Sequence, residues 1–331
     1  MIVGITYDLR SDYLKEGYTE EETAEFDKED TIDAIDENLK VLGFETDRIG
    51  NIKALTKRLA KGDRWDIVFN ISEGMYGIGR EAQVPALLDA WNIPYIFSGP
   101  LVLSLTLDKA MTKRVVRDAG VPTADFCVIE TISDIDNLKI PYPLFAKPLA
   151  EGTGKGIYAG SVITNKVQLK KQCSLLLEKF KQPVLVEKYL SGREFTVGIV
   201  GTGKHARSVG VMEIMLNNKA EKGVYSFHNK DNYIDLVDYT LAQGIIAEQC
   251  NKVALDAWKI LGCEDAGRVD VRFDDKGICN FIEVNPLAGL HPVHSDLPIL
   301  TRKNGISYNQ LFKMIMDSAL EKVKTLKVNV R

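Results

Sequence analysis

No apolar stretch in this chain approaches the roughly 18 residues that a membrane crossing requires, so no membrane span is expected. There is no surplus of base either: 42 Lys and Arg stand against 46 Asp and Glu, a formal charge of −4. Nucleic-acid binding, which draws on a concentrated basic face, is therefore not expected. Cysteine is sparse. The five residues, Cys127, Cys173, Cys250, Cys263 and Cys279, are scattered, odd in number and without C-x-x-C spacing. That argues against a disulfide framework and a zinc site, and for reduced structural thiols in a cytoplasmic protein. Met1–Thr6 carries no basic leader and no cleavage site, and reads as a buried first strand rather than a signal peptide. The G-x-G-x-x-G fingerprint is missing after that strand, which disfavours a standard dinucleotide-binding domain; G-x-x-x-x-G-K-[ST] is missing too.

What is present suits a soluble enzyme: 331 residues, 45% of them hydrophobic, enough for two or three domains. The first hundred residues alternate strands (2–7, 44–49, 66–70, 94–97) with helices (31–42, 80–91), which implies a parallel sheet covered on both faces. Between the first strand and the first helix, Asp8–Asp30 carries ten acidic and three basic residues. So long a loop is uncommon unless it is functional or mobile. It reads either as a solvated acidic flap or as a lid, a cation-recognising wall over a site. Prolines 122, 141, 143 and 148 then punctuate the chain. The expected order continues with a strand (144–147), a glycine-rich loop (151–156), a helix (166–180), strands (184–187 and 195–200) and a polar stretch (217–238). A helix (247–261), a hairpin and a final amphipathic helix (308–323) complete it.

Three segments carry chemistry. In the hairpin, side chains alternate faces, so Arg268, Asp270 and Arg272 oppose Val269, Val271 and Phe273. Glu283 and Asn285 share a face of the return strand. Pairing across the turn can bring Asp270, Glu283 and Asn285 together, three hard oxygen ligands of the kind Mg²⁺ takes alongside phosphate oxygens; the plainer alternative is a solvated sheet face. The second segment runs Ala146-Lys147-Pro148-Leu149-Ala150-Glu151-Gly152-Thr153-Gly154-Lys155-Gly156. A lysine ends a strand and a loop with three glycines follows, so that backbone N–H groups can approach phosphate closely; a plain glycine-rich turn is the alternative. In the third, Val184–Leu190 followed by Gly192-Arg193-Glu194-Phe195, an apolar strand runs into a linker that can line an adenine slot.

In order and wording, these segments resemble the D-alanine–D-alanine ligase branch of the ATP-grasp superfamily. So do Tyr95–Pro100, Leu105-Thr106-Leu107-Asp108-Lys109-Ala110-Met111-Thr112-Lys113 and Ala119-Gly120-Val121-Pro122-Thr123. The resemblance covers roughly residues 65 to 315. It implies an α/β chain, α+β in its ATP-grasp part: a Rossmann-like domain (1–103), a small ATP-grasp subdomain (104–190) and a large one (191–331). It implies ATP and Mg²⁺, two ions with Mn²⁺ as a substitute, and small carboxylate and amine substrates, in a cytoplasmic enzyme that can form a homodimer. Lys109 and Lys147 resemble the lysines that contact ATP phosphates. Glu151, Gly152, Thr153 and Gly154 belong to the small closing loop, Thr153 standing where the family commonly has serine. Glu187, Lys188, Tyr189 and Leu190 resemble the adenine hinge, and Glu194 the ribose-binding acid. Lys230 resembles the large-loop lysine, and Asp270, Glu283 and Asn285 the metal ligands. Arg268 and the backbone of Gly289 resemble the oxyanion pair.

Departures cluster on the substrate side. The glycine-rich opening of the D-alanine ligases is replaced by Asp8–Asp30, and their His-Gly pair by Glu73-Gly74. Asp231 follows Lys230 where tyrosine is usual, and Gly289–Asp296 runs one residue longer, so that Ser295 or His294 would hold the second substrate. Glu73 is expected to grip an ammonium group. Three functions are consistent with this pattern: a ligase for other amino acids or peptides, a D-alanine–D-alanine ligase with an unusual N-terminus, and a non-catalytic ATP-binding regulator.

Overall fold

Alternation of short apolar strands with helices builds the first layer of the computed structural model, which describes residues 1–217 and 233–329. Strands β1 (Ile2–Tyr7), β2 (Glu45–Gly50), β3 (Ile67–Ile71) and β4 (Tyr95–Ile96) pair in parallel in the order β2-β1-β3-β4. Between them run α1 (Arg10–Lys15), α2 (Glu29–Val41), α3 (Ile52–Ala60) and α4 (Gln83–Ala90). Helix α2 buries Ile32, Ile35 and Leu39 on one face of the sheet, and α3 and α4 bury Leu55, Leu59 and Leu88 on the other. Covered twice, β3 is buried at all five positions, as expected of a central parallel strand.

Helices α5 (Pro100–Leu107) and α6 (Lys109–Asp118) lead to a second, antiparallel sheet. It comprises β5 (Phe126–Ile129), β6 (Leu144–Pro148), β7 (Val162–Ile163) and β8 (Val184–Lys188), in the order β5-β8-β6-β7. Its outer face is covered by α7 (Lys166–Phe180) through Leu169, Cys173 and Leu176.

The third sheet is antiparallel, in the order β11-β10-β9-β12-β13. Its strands are β9 (Glu194–Val200), β10 (Arg207–Leu216), β11 (Val237–Leu241), β12 (Ala266–Phe273) and β13 (Cys279–Asn285). Helix α8 (Tyr233–Leu236) precedes β11, and α9 (Gly244–Leu261) buries Trp258 against one face of the sheet. Helices α10 (Asp296–Lys303) and α11 (Tyr308–Asn329) then return to the first sheet, where Phe312 stacks on Phe69 with ring centroids 5.5 Å apart. The N-terminal sheet and the C-terminal helices thus share one core.

The segment Asp8–Asp30 is not a solvated flap. It contains α1, and Asp8 is buried, accepting a hydrogen bond from the Gly74 N–H at 2.9 Å. The five cysteines are free thiols. Among the described residues no helix is long and apolar enough to cross a membrane.

Candidate active site

The second and third sheets face each other across a cleft, and side chains from both line it. The cleft holds two adjoining cavities. One, with an open volume of about 790 Å³, lies between β6 and β8 on one side and β12 and β13 on the other. Phe145, Ile157, Leu190 and Ile282 give it an apolar end, and Lys109, Lys147, Asp270 and Glu283 a charged one. The second, about 720 Å³, opens toward the N-terminal sheet, between Arg268, Asn285 and Gly289 on one wall and Glu25, Glu73 and Glu81 on the other. Lys109, Glu151 and Glu283 line both and mark the junction.

The charged end is built by strand register and by a helix start. Asp270 lies directly across from Glu283, and Arg268 across from Asn285. A bulge between Asp270 and Val271 shifts the register beyond that point, leaving the polar pairs in line at the open end of the hairpin. Asp270 accepts from Thr196 Oγ1 at 2.7 Å and from Arg268. Burial works against the Arg268 charge, but Asp270, Asp296 and Glu283 outweigh it and hold the guanidinium cationic. Asp108 caps α6 by accepting from the N–H groups of Ala110 and Met111. The cap fixes the first turn, so that Lys109 and Lys113, four residues apart, share one face. Lys109 and Lys147 reach Glu283 Oε2 at 3.8 and 3.7 Å. Lys113, almost wholly buried, pairs with Glu187 at 2.9 Å, and Lys147 pairs with the other oxygen of Glu187 at 3.3 Å. Burial depresses Lys109 and Lys113, whereas Glu187 and Glu283 outweigh burial at Lys147 and raise it.

The glycine-rich loop is held down by the N-terminal layer. Glu25 Oε1 accepts from the Gly152 N–H at 2.6 Å, an approach that a Cβ would block, since it would lie 2.5 Å from that oxygen. Arg80 donates to the Ala150 carbonyl at 3.1 Å and to Glu25 at 3.1 Å. Lys155 bridges Glu151 at 2.6 Å and Glu25 at 3.4 Å, and Lys109 donates to the Glu151 carbonyl at 2.6 Å. Thr153, at φ +48, lies between glycines in this loop.

A family model described as the D-Ala–D-Ala ligase C-terminus matches residues 115–317. The chain belongs to the D-alanine–D-alanine ligase family. It is 33% identical over 251 residues to the D-alanine–D-alanine ligase of Bordetella avium, spanning 74% of this chain and 76% of that protein. It is 32% identical over 297 residues to the enzyme of the same name from Marinomonas, spanning 87% and 89%. In fold it matches the D-alanine–D-alanine ligase of Bacillus anthracis, solved as a complex with ATP, with a TM-score of 0.73 at 23% identity over 98% of this chain and 99% of that one. It also matches the VanG D-Ala:D-Ser ligase of Enterococcus faecalis, with a TM-score of 0.72 at 19% identity over 96% and 99%. The chain is an ATP-dependent carboxylate–amine ligase with an ATP-grasp fold, acting on small molecules.

In this ligase-family chain, most of the residues singled out from sequence meet at the two cavities. Lys109, Lys147, Glu151, Gly154, Glu187, Lys188, Tyr189, Leu190, Glu194, Asp270 and Glu283 line the first. Gly152, Thr153, Glu73, Arg268, Asn285 and Gly289 line the second. Glu194 is paired with Arg272 at 3.0 Å, a contact the alternating pattern did not suggest. Ser295 lies against Gly289, where a Cβ would stand 2.8 Å from its Oγ, and that Oγ accepts from the His291 N–H at 2.9 Å. His294 is exposed and packs on His291 with ring centroids 4.5 Å apart. Lys230 and most of 217–238 lie outside the described residues. Sequence reasoning missed Glu25, Glu81 and Lys113, and it offered Arg80 only as a pairing partner for Glu73, whereas Arg80 pairs with Glu25. Only Lys113 left a readable signal, its four-residue spacing from Lys109.

Proposed function

We propose that the two cavities are the nucleotide and substrate halves of one ligase site, with phosphoryl transfer at their junction. The observation that carries this reading is that Lys109, Glu151 and Glu283 line both cavities, while Arg268 faces only the second. In this assignment the hinge Glu187–Leu190 and Glu194 take adenine and ribose, and Lys109, Lys147, the 151–154 loop and Lys230 take the phosphates. The residues fit Mg²⁺: Asp270 and Glu283 are paired in register with Asn285 beside them, and no cluster of three His, Cys, Asp or Glu occurs among the described residues. A small cation that takes one or two carboxylates and completes its shell with phosphate oxygens and water suits such a face. When bound, Mg²⁺ offsets the phosphate charge; Mn²⁺ would substitute.

The carboxylate oxygen of the first substrate attacks the γ-phosphorus and ADP leaves. The amine of the second then attacks the acyl carbon of the acyl phosphate, phosphate leaves and the nitrogen loses a proton. Arg268 and the Gly289 N–H would hold the oxyanion of the tetrahedral intermediate. Clasping of the loop by Glu25 and Arg80 would keep water from the acyl phosphate. Glu73 takes the ammonium of one substrate, and Ser295, beside Gly289, or His294 the carboxylate of the other. The identity to curated D-alanine ligases supports D-alanine–D-alanine ligation as the second reading. We further propose the division 1–103, 104–190 and 191–331, a cytoplasmic location and a homodimer, the last checked by light scattering. The test of function is ADP release from Mg·ATP with a panel of amino acids of both hands. Release stimulated by an amino acid, with a dipeptide formed in equal amount, is expected; ATP binding without stimulated release would overturn the assignment.

A further inference from the structure

The substrate cavity holds more carboxyl groups than one amino acid can use. Five of its lining residues are carboxylates, Glu25, Glu73, Glu81, Glu151 and Glu283, against two cations, Lys109 and Arg268. Three of the five are compensated. Glu25 and Glu151 share Arg80 and Lys155, and Glu283 lies within 4 Å of Lys109 and Lys147. Arg268 is taken up by Asp270 and Asp296. Among the described residues Glu73 and Glu81 have neither an ion pair nor a side-chain hydrogen bond, although both face the cavity.

Burial raises the carboxyl of Glu73 well above the usual range, helped by Glu81 and Glu25. It pushes Glu81 up to about 7, against the pull of Arg80. Arg80 pulls on both carboxyls, and Lys109 on Glu81 as well, yet burial prevails at each, as it does for acids with no cation in direct contact.

An α-ammonium group satisfies one carboxylate. In the ligation reaction the attacking amine is neutral, so two ordinary amino acids bring a single ammonium group to this cavity. The second acid is left for a cation that a neutral amino acid does not possess. We propose that Glu73 and Glu81 together select a substrate with two cationic groups, an amino acid with an ammonium or guanidinium side chain, one group meeting each carboxylate. This rests on the ligase reading above and names its substrate class. The wall is assembled from the Glu73 turn and the single 3-10 turn Arg80–Ala82 just ahead of α4, joined by residues 74–79. Gly74 makes the turn at φ +73, and a Cβ there would come within 2.7 Å of the Arg80 carbonyl.

The experiment is ADP release by the full-length enzyme with Mg·ATP and paired amino acids of both hands. Lysine, ornithine, 2,4-diaminobutyrate and arginine are set against alanine, serine and methionine. The expected result is a kcat/KM at least tenfold higher for a basic amino acid than for any neutral one. In Glu73→Gln and Glu81→Gln that ratio should fall toward unity through KM for the basic amino acid. Because a variant can misfold, the wild-type enzyme bound to ADP is also titrated calorimetrically with lysine near pH 7. Binding should release protons, since a cation lowers the raised carboxyls. Release of ADP with neutral amino acids as good as with basic ones would overturn this inference and leave the ligase reading intact. An unchanged ratio in both variants would do the same. No ADP release with any amino acid would overturn the ligase reading, and this inference with it.

Discussion

Replacing Lys113 with Met separates a structural charge from a catalytic one. Its ammonium donates to Thr123 Oγ1 at 2.7 Å and lies 2.9 Å from Glu187, whose other oxygen holds Lys147 at 3.3 Å. All three charged groups are at most 9% exposed. Breaking a buried pair by removing one partner costs about 3–5 kcal/mol, because the remaining charge is uncompensated. Here Glu187 keeps Lys147, so the lower end, about 3 kcal/mol, is expected, a fall in melting temperature of roughly 6 °C for a chain of this size. Relieved of Lys113, Glu187 draws Lys147 more tightly, away from Glu283 and the cavity junction. KM for ATP should therefore rise about tenfold, a loss of roughly 1.4 kcal/mol, while KM for the amino acids changes less. Differential scanning fluorimetry and a coupled ADP assay measure both. A melting temperature within 1 °C of the wild type, or an unchanged KM for ATP, would refute the argument that Glu187 mediates between the two lysines.

The metal face predicts that Glu283→Gln, which removes charge without changing volume, lowers turnover at saturating Mg·ATP by at least about 100-fold with the melting temperature nearly unchanged; wild-type turnover would reject it as a metal ligand. Glu81 binds its proton up to about 7 in the folded chain against 4.5 ordinarily, and burial likewise pushes Asp27 to about 7 from 3.8. A raised carboxyl contributes stability that is complete below its unfolded value and lost as pH rises through its folded one. The ligand-free enzyme should therefore melt lower at pH 8 than at pH 5. Glu81→Gln should melt above the wild type at pH 8 only, and a difference independent of pH would contradict this. Gly156→Ala places a Cβ 2.4 Å from Pro148 Cγ at φ +75. It should cost about 1–3 kcal/mol and make the 151–156 loop more susceptible to limited proteolysis; a loop as resistant as the wild type's would count against the strain.

Local pattern decided a good deal. Period-two alternation in the 268–285 hairpin was enough to align Asp270, Glu283 and Asn285, because adjacent antiparallel strands joined by a short turn have little freedom of register. The 166–180 helix falls at the limits expected, and apolar runs marked β1 and β3 of the first sheet, whereas β2, Glu45–Gly50, is mostly polar. Glycines 152, 154 and 156 announced a loop that approaches something closely. Strands β10 and β11 and helices α3 and α5 went unread; α5 is apolar all round and shows no face, whereas α3 is amphipathic and its signal was overlooked. Contacts across long separations were illegible, since their partners lie far along the chain. Glu25 looked like one more surface acid in a run of ten, yet it meets Gly152, which lies 127 residues away. Arg80 reaches Ala150, and Lys113 on helix α6 meets Glu187 on strand β8 of the second sheet. By itself, then, the sequence determined the alternation of strands and helices and, through its resemblance to the D-alanine ligases, the family and its use of ATP, each carried by neighbours in the chain. Only the tertiary structure decided which acids wall the substrate cavity and which cations compensate them. Charge compensation depends on distances between groups that the fold alone brings together.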